Sequence, residues 1–138
     1  MNREILFRGK RIDNGAWVEG YVIVYPSGKT EVHKKCTQPP DILLVCETDP
    51  ETVCQYTGLT DKNGRKIFEG DIAKVQHTDG EEDYVEMAEV SWDDKNACFS
   101  PWDWQYQCDG CDLYCEIQSI EVIGNIFDNP ELLKGGTE

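Results

Sequence analysis

The sequence predicts a mainly β fold, a small barrel that carries an N-terminal β-hairpin unit and ends in a short helical turn. Three observations point there. Apolar and β-branched runs are short and alternate with polar residues, as strands buried on one face require. Turn signals lie between those runs; they include Asn14-Gly15, Pro26-Ser27-Gly28, Asn63-Gly64 and Asp79-Gly80. Only the tail carries a helix-start signal.

Taken in order, the strands read from these runs cover residues 4–8, 16–25, 30–33, 42–46, 66–68, 71–76, 84–92, 97–100 and 120–127. Asn-Gly and Asp-Gly supply the positive φ angles that tight hairpin turns need, so 4–8 with 16–25 and the segments flanking Asn63-Gly64 read as hairpins. At the tail, Asn129 can cap a first turn, with Pro130 where its missing N–H costs little and Glu131 near the positive helix end. The segment Thr37–Asp41, "TQPPD", is the best internal boundary, because two prolines remove ladder donors and favour extended chain. It divides the chain into an N-terminal hairpin unit, 1–38, and a barrel domain, 39–138, with one continuous compact domain as the alternative.

The chain also echoes itself. Phe7-x-Gly9 matches Tyr56-x-Gly58, Asn14-Gly15 matches Asn63-Gly64 at the same spacing, and Glu19-Gly20 matches Glu69-Gly70 after one inserted residue. Each copy reads as a strand ending near a glycine, a polar crossing, an Asn-Gly reversal and a return strand interrupted by Glu-Gly. Glycine inside a return strand marks a bulge or bend, the device that curls a small sheet. The run "EGDIAKV" fits the entry strand of an SH3-like barrel, with Ile72 and Lys74 facing opposite to Ala73 and Val75. The repeated positions are geometric needs rather than reactive groups.

At these residues the sequence resembles the YopX family, small proteins encoded in phages and prophages of bacteria. Three segments carry the resemblance: "ILFRGKRIDNGAWVEGYV", "DPETVCQYTGLTDKNGRKIFEGDIAKV" and "IEVIGNIFDNPELL". The resemblance implies a β-rich fold with an SH3-like barrel and a phage or prophage origin in a bacterial cytoplasm. The family carries no assigned biochemical activity and no defined catalytic residues, so no site is carried over. The match is loosest over Asp93–Cys115, where this chain is rich in cysteine and aromatics.

Composition narrows the function classes. The chain has 138 residues and a net charge of −14, from 27 acidic against 13 basic residues. Grip on a phosphate backbone relies on Lys and Arg releasing counterions, so direct nucleic-acid binding is disfavoured. A basic patch from Arg8-Lys10-Arg11 with His33-Lys34-Lys35 is the local exception, and an acidic mimic of DNA is a variant compatible with the charge. No run approaches the ~20 apolar residues of a membrane helix, and charges break up the N-terminus where a signal peptide would be apolar. A soluble cytoplasmic protein is expected. Seven cysteines without a secretion signal point to reduced thiols or a metal rather than disulfides.

Two constellations could carry function. "CDGCDLYC" places Cys108, Cys111 and Cys115 at knuckle-like spacing, and Gly110 would let the turn aim two thiolates at one zinc ion. A tetrahedral site then needs a fourth ligand from Cys98, His77, Cys36 or His33. The simpler reading is a turn with free thiols packed as small hydrophobes, and no cofactor is the expectation. "WDWQYQ" places Trp102, Trp104 and Tyr106 at period two, on one side of an extended chain. That stripe is either a core-facing strand or a surface for a protein partner or a second copy, since Trp and Tyr are typical interface anchors. His33 and His77 stand without a motif, "DGEED" lacks calcium-loop spacing, and the familiar phosphate-loop, nucleophile-elbow and zinc-helix patterns do not occur. A non-enzymatic interaction module is expected, with a nucleic-acid-related role as the alternative.

Overall fold

The computed structural model describes residues 3–35, 43–78, 80–102 and 116–134. The chain is mainly β, built of open antiparallel sheets with one short helical turn. It divides into two compact units at Gly58/Leu59.

The first unit, 1–58, contains β1 (Phe7–Lys10), β2 (Trp17–Val24), β3 (Thr30–Lys35), β4 (Leu43–Thr48) and most of β5 (Cys54–Thr60). Their order across the sheet is β4-β3-β2-β1-β5. Arg11 to Gly15 reverse the chain between β1 and β2, with Gly15 at φ 71° and its N–H donating to the Arg11 carbonyl at 2.9 Å. β3 and β4 pair at every position from Thr30↔Thr48 to Lys35↔Leu43, so residues 36–42, which hold the proline boundary read from sequence, link two partners in one sheet. The end of β4 turns back on β1 through an isolated bridge, Arg11↔Thr48. Among the described residues no sheet closes into a barrel. Val18, Val32 and Cys46 form the buried cluster of this unit, one from each of three adjacent strands, as the period of two dictates.

The second unit, 59–138, holds β6 (Lys66–Phe68), β7 (Asp71–Thr78), β8 (Asp83–Glu89), the short pair β9 (Ser91–Asp93) and β10 (Cys98–Ser100), β11 (Glu116–Asn125) and α1 (Glu131–Lys134). β7 lies between β11 and β8. Ala73, Val75, Ala88, Val90, Ile120, Val122 and Ile67 make its core. Burying each Ile or Val there is worth about 1.5–3 kcal/mol. The alternation expected for "EGDIAKV" holds at exposed Lys74 and buried Ala73 and Val75, but Ile72 is buried as well.

The two copies of the repeat meet as β1 and β5, paired at Phe7↔Gln55 and Arg8↔Cys54. Both Asn-Gly reversals form, with Gly64 at φ 80°. The Glu-Gly positions differ. Gly70 sits at φ 85° in the turn between β6 and β7, where its N–H donates to the Val90 carbonyl and its own carbonyl accepts from Ile126. Gly20 lies within β2 against the backbone of β3. At the tail, the Asn129 side chain accepts from the Asn125 N–H at 3.3 Å and braces the preceding turn, while its main-chain carbonyl accepts from the Leu132 N–H at 3.1 Å at the start of α1.

Candidate interaction surface

A strand pleat sends alternate side chains to opposite faces. In β2, Val18 goes to the core, so Glu19, Tyr21 and Ile23 stand on the outer face. Register extends this face into two rows. Tyr21 lies opposite His33, which lies opposite Val45; Ile23 lies opposite Glu31, which lies opposite Glu47. The three apolar members are open to solvent, at 55% for Tyr21, 41% for Ile23 and 46% for Val45.

Polar groups knit the middle of the face. Glu31 Oε1 accepts the Tyr25 hydroxyl at 2.8 Å and contacts His33 Nε2 at 3.1 Å, and Lys29 Nζ lies 3.6 Å from Oε2. The His33 bond, then the Tyr25 hydroxyl, hold the Glu31 carboxyl below its ordinary range. Accepting that hydroxyl in turn raises the Tyr25 phenol. The result is a hydrogen-bonded, ion-paired carboxylate beside exposed apolar side chains, the mixture of polar and apolar surface that interfaces carry.

The basic patch suggested by Arg8, Lys10 and Arg11 is engaged within the unit. Arg8 is buried and lies 4.7 Å from the Trp17 ring centroid, and Lys10 reaches the same ring at 5.3 Å. Arg11 forks onto Asp13 through Nε at 3.0 Å and Nη2 at 2.7 Å. A guanidinium in that geometry presents fewer donors to a phosphate.

The sequence-derived candidates fall elsewhere. Trp102 is half-buried and packs against the core of the second unit with Phe99 and Ile117; Trp104 and Tyr106 lie outside the described residues. Cys108, Cys111 and Cys115, and Cys36, also lie outside them. Cys98 is a half-buried thiol on β10, opposite Asp93. His77 is buried on β7, 3.5 Å from Glu86 and stacked near Tyr84. His33 belongs to the first unit. Among the described residues no three metal-ligating side chains converge. Glu19 lies opposite Arg8 on the outer face, and Glu69 is in the Gly70 turn.

Sequence reasoning did not single out Tyr21, Ile23 or Val45, because "WVEGYVIV" and "LLVCET" each show apolar residues on both faces. Only register tells which face meets solvent.

The family model described as "YopX protein" matches residues 6–134. Among solved structures, the crystal structure of protein EF1440 from Enterococcus faecalis is similar over 96% of this chain and 99% of its own, with a TM-score of 0.54 and 22% identity. At that identity the likeness shows a shared fold. The search of curated proteins found no match.

Proposed function

We propose, from the premise that this chain belongs to the YopX family, that it acts without chemistry of its own, as a protein-binding module. The observation that carries this reading is the outer face of the first unit, where exposed Tyr21, Ile23 and Val45 surround the Glu31–His33 pair. Tyr21 and Ile23, neighbours on the outer face of β2, make a local apolar patch of the kind that marks interaction sites. The reading assigns the protein no cofactor, and a phage or prophage origin and a cytoplasmic setting in a bacterial host. It treats the bends at Gly70 and the register shifts in β11 as SH3-like curvature of the second unit, supported by the breaks at Ile117/Ser119 and Val122/Gly124. The engaged state of Arg8 and Arg11, together with the net charge of −14, favours a protein over a nucleic acid as partner.

The test is affinity purification from the bacterial host with the wild-type chain and with Tyr21→Asp, followed by mass spectrometry. A genuine partner is recovered with the wild type and reduced at least about tenfold by the variant, the effect of losing an interface anchor. Recovery of the same proteins in the same amounts by both would sink the reading.

A further inference from the structure

The edge of β4 supplies a more specific mode of contact. β4 ends the order of the first sheet, so β3 occupies one of its sides. On the other side, pairing among the described residues is confined to its end, where the Ile12 N–H donates to the Glu47 carbonyl at 3.0 Å and the Asp49 N–H donates to the Lys10 carbonyl at 2.9 Å. Alternate residues of an antiparallel strand direct both N–H and C=O to the same side. Because Glu47 points its carbonyl towards Ile12, Val45 points its N–H and C=O the same way. The chain turns away through Asp13 before reaching Val45, and among the described residues no main-chain group takes its place.

What remains is a hollow of about 190 Å³ lined by Arg11, Ile12, Asp13, Val45, Cys46 and Glu47. Ile12, 59% exposed, and Val45 give it apolar walls. Arg11 and Asp13 neutralise each other, which leaves the Glu47 carboxylate as its net charge. Of the devices with which proteins blunt an open edge, the strand itself, "LLVCET", has no lysine, proline or bulge, and one charged residue, Glu47.

We infer that β4 accepts an extended segment of another protein as an added antiparallel strand, on the line that β1 vacates at Ile12. The inference rests on the protein-binding reading above and specifies its mode. The incoming strand bonds the Val45 main chain, places an apolar side chain in the hollow against Ile12, and sets a Lys or Arg beside Glu47. Charge selects this occupant over a second copy, because two chains at −14 each repel.

The experiment selects random linear peptides on the full chain and measures the enriched ones by fluorescence anisotropy. Expected binders are apolar with a flanking Lys or Arg. N-methylation of their alternate amides, which leaves the protein untouched, weakens binding at least about tenfold by removing main-chain bonds. Val45→Pro, which deletes the outward N–H together with the valine side chain, weakens it similarly with the melting temperature kept, and more than Val45→Ala, which removes the side chain alone; Glu47→Lys favours acidic over basic flanks. Failure to enrich any peptide overturns the inference. So do binders indifferent to N-methylation, and if those are lost with Tyr21→Asp, the outer-face reading stands while the edge reading falls. Sedimentation showing a wild-type dimer that Val45→Pro converts to monomer also overturns it, in favour of self-pairing.

Discussion

Gly20 and Gly15 are both glycines of the first hairpin, and they are needed for opposite reasons. Gly15 sits at φ 71° with nothing within 4 Å of where a Cβ would stand, so its need is conformational. Gly20 has ordinary extended geometry, but a Cβ there would come within 2.3 Å of the His33 carbonyl oxygen and 2.8 Å of its carbon. A backbone carbonyl paired in a sheet cannot swing aside. Gly15→Ala is therefore expected to cost about 1–2 kcal/mol, the usual left-handed strain. Gly20→Ala is expected to cost about 3 kcal/mol, the upper range for forcing a methyl into packed structure. Urea unfolding of both variants checks the order, and a Gly20→Ala midpoint as high as that of Gly15→Ala would refute the close approach. The Asn14-Gly15 turn was legible in sequence because its cause is local. The role of Gly20 was not, since the atom it must avoid belongs to another strand.

At the scale of elements, the turn joining β5 to β6 is fastened to β11 by one carboxylate. Asp61 Oδ1 accepts the N–H groups of Asn63 and Arg65, each at 2.9 Å, and Oδ2 accepts that of Val122 at 3.0 Å. The Lys62 N–H adds a bond to the Ile120 carbonyl at 3.0 Å. Burial by itself would push the Asp61 carboxyl up, but the three backbone donors, Val122 foremost, outweigh it and hold the group below its ordinary value. A folded-state value below the unfolded one means that this contribution is present in full above the unfolded value. It is lost as pH falls through the folded one. Asp61→Asn turns an amide donor towards one of these N–H groups and should cost about 1–3 kcal/mol at neutral pH. It should also flatten the acid limb of a stability-against-pH curve, and an unchanged acid limb would remove Asp61 from that role. In sequence, Asp61 stood as one more polar turn residue. Its partner at Val122 lies on β11, 61 residues along the chain, and could not be read from neighbours.

For the molecule as a whole, the dominant quantity is charge. With 27 acidic and 13 basic side chains, the folded chain confines repulsion that the unfolded chain relieves by expanding. Raising salt from about 0.01 to about 0.15 M shortens the screening length from ~30 to ~8 Å. The melting temperature is therefore expected to rise with sodium chloride over that range, followed by circular dichroism; a flat or falling response would mean that the local pairs at Glu31 and Asp13 outweigh the general repulsion. The same charge bears on partners, since it favours basic surfaces and opposes self-association.

The residues alone determined the β class, the two Asn-Gly reversals, the short terminal turn and the family, because each rests on local backbone preference or on contiguous motifs. The proline segment at Thr37–Asp41 was also visible, but not that it joins two fully paired strands. Tertiary structure decided which face of β2 meets solvent, that Glu31 gathers Tyr25, His33 and Lys29, that Trp102 packs on a core, and that β4 borders a hollow beside Ile12. Those outcomes depend on register between strands. A shift of one residue exchanges the two faces of a strand, and nothing within a single run of alternating residues says which face another strand will cover.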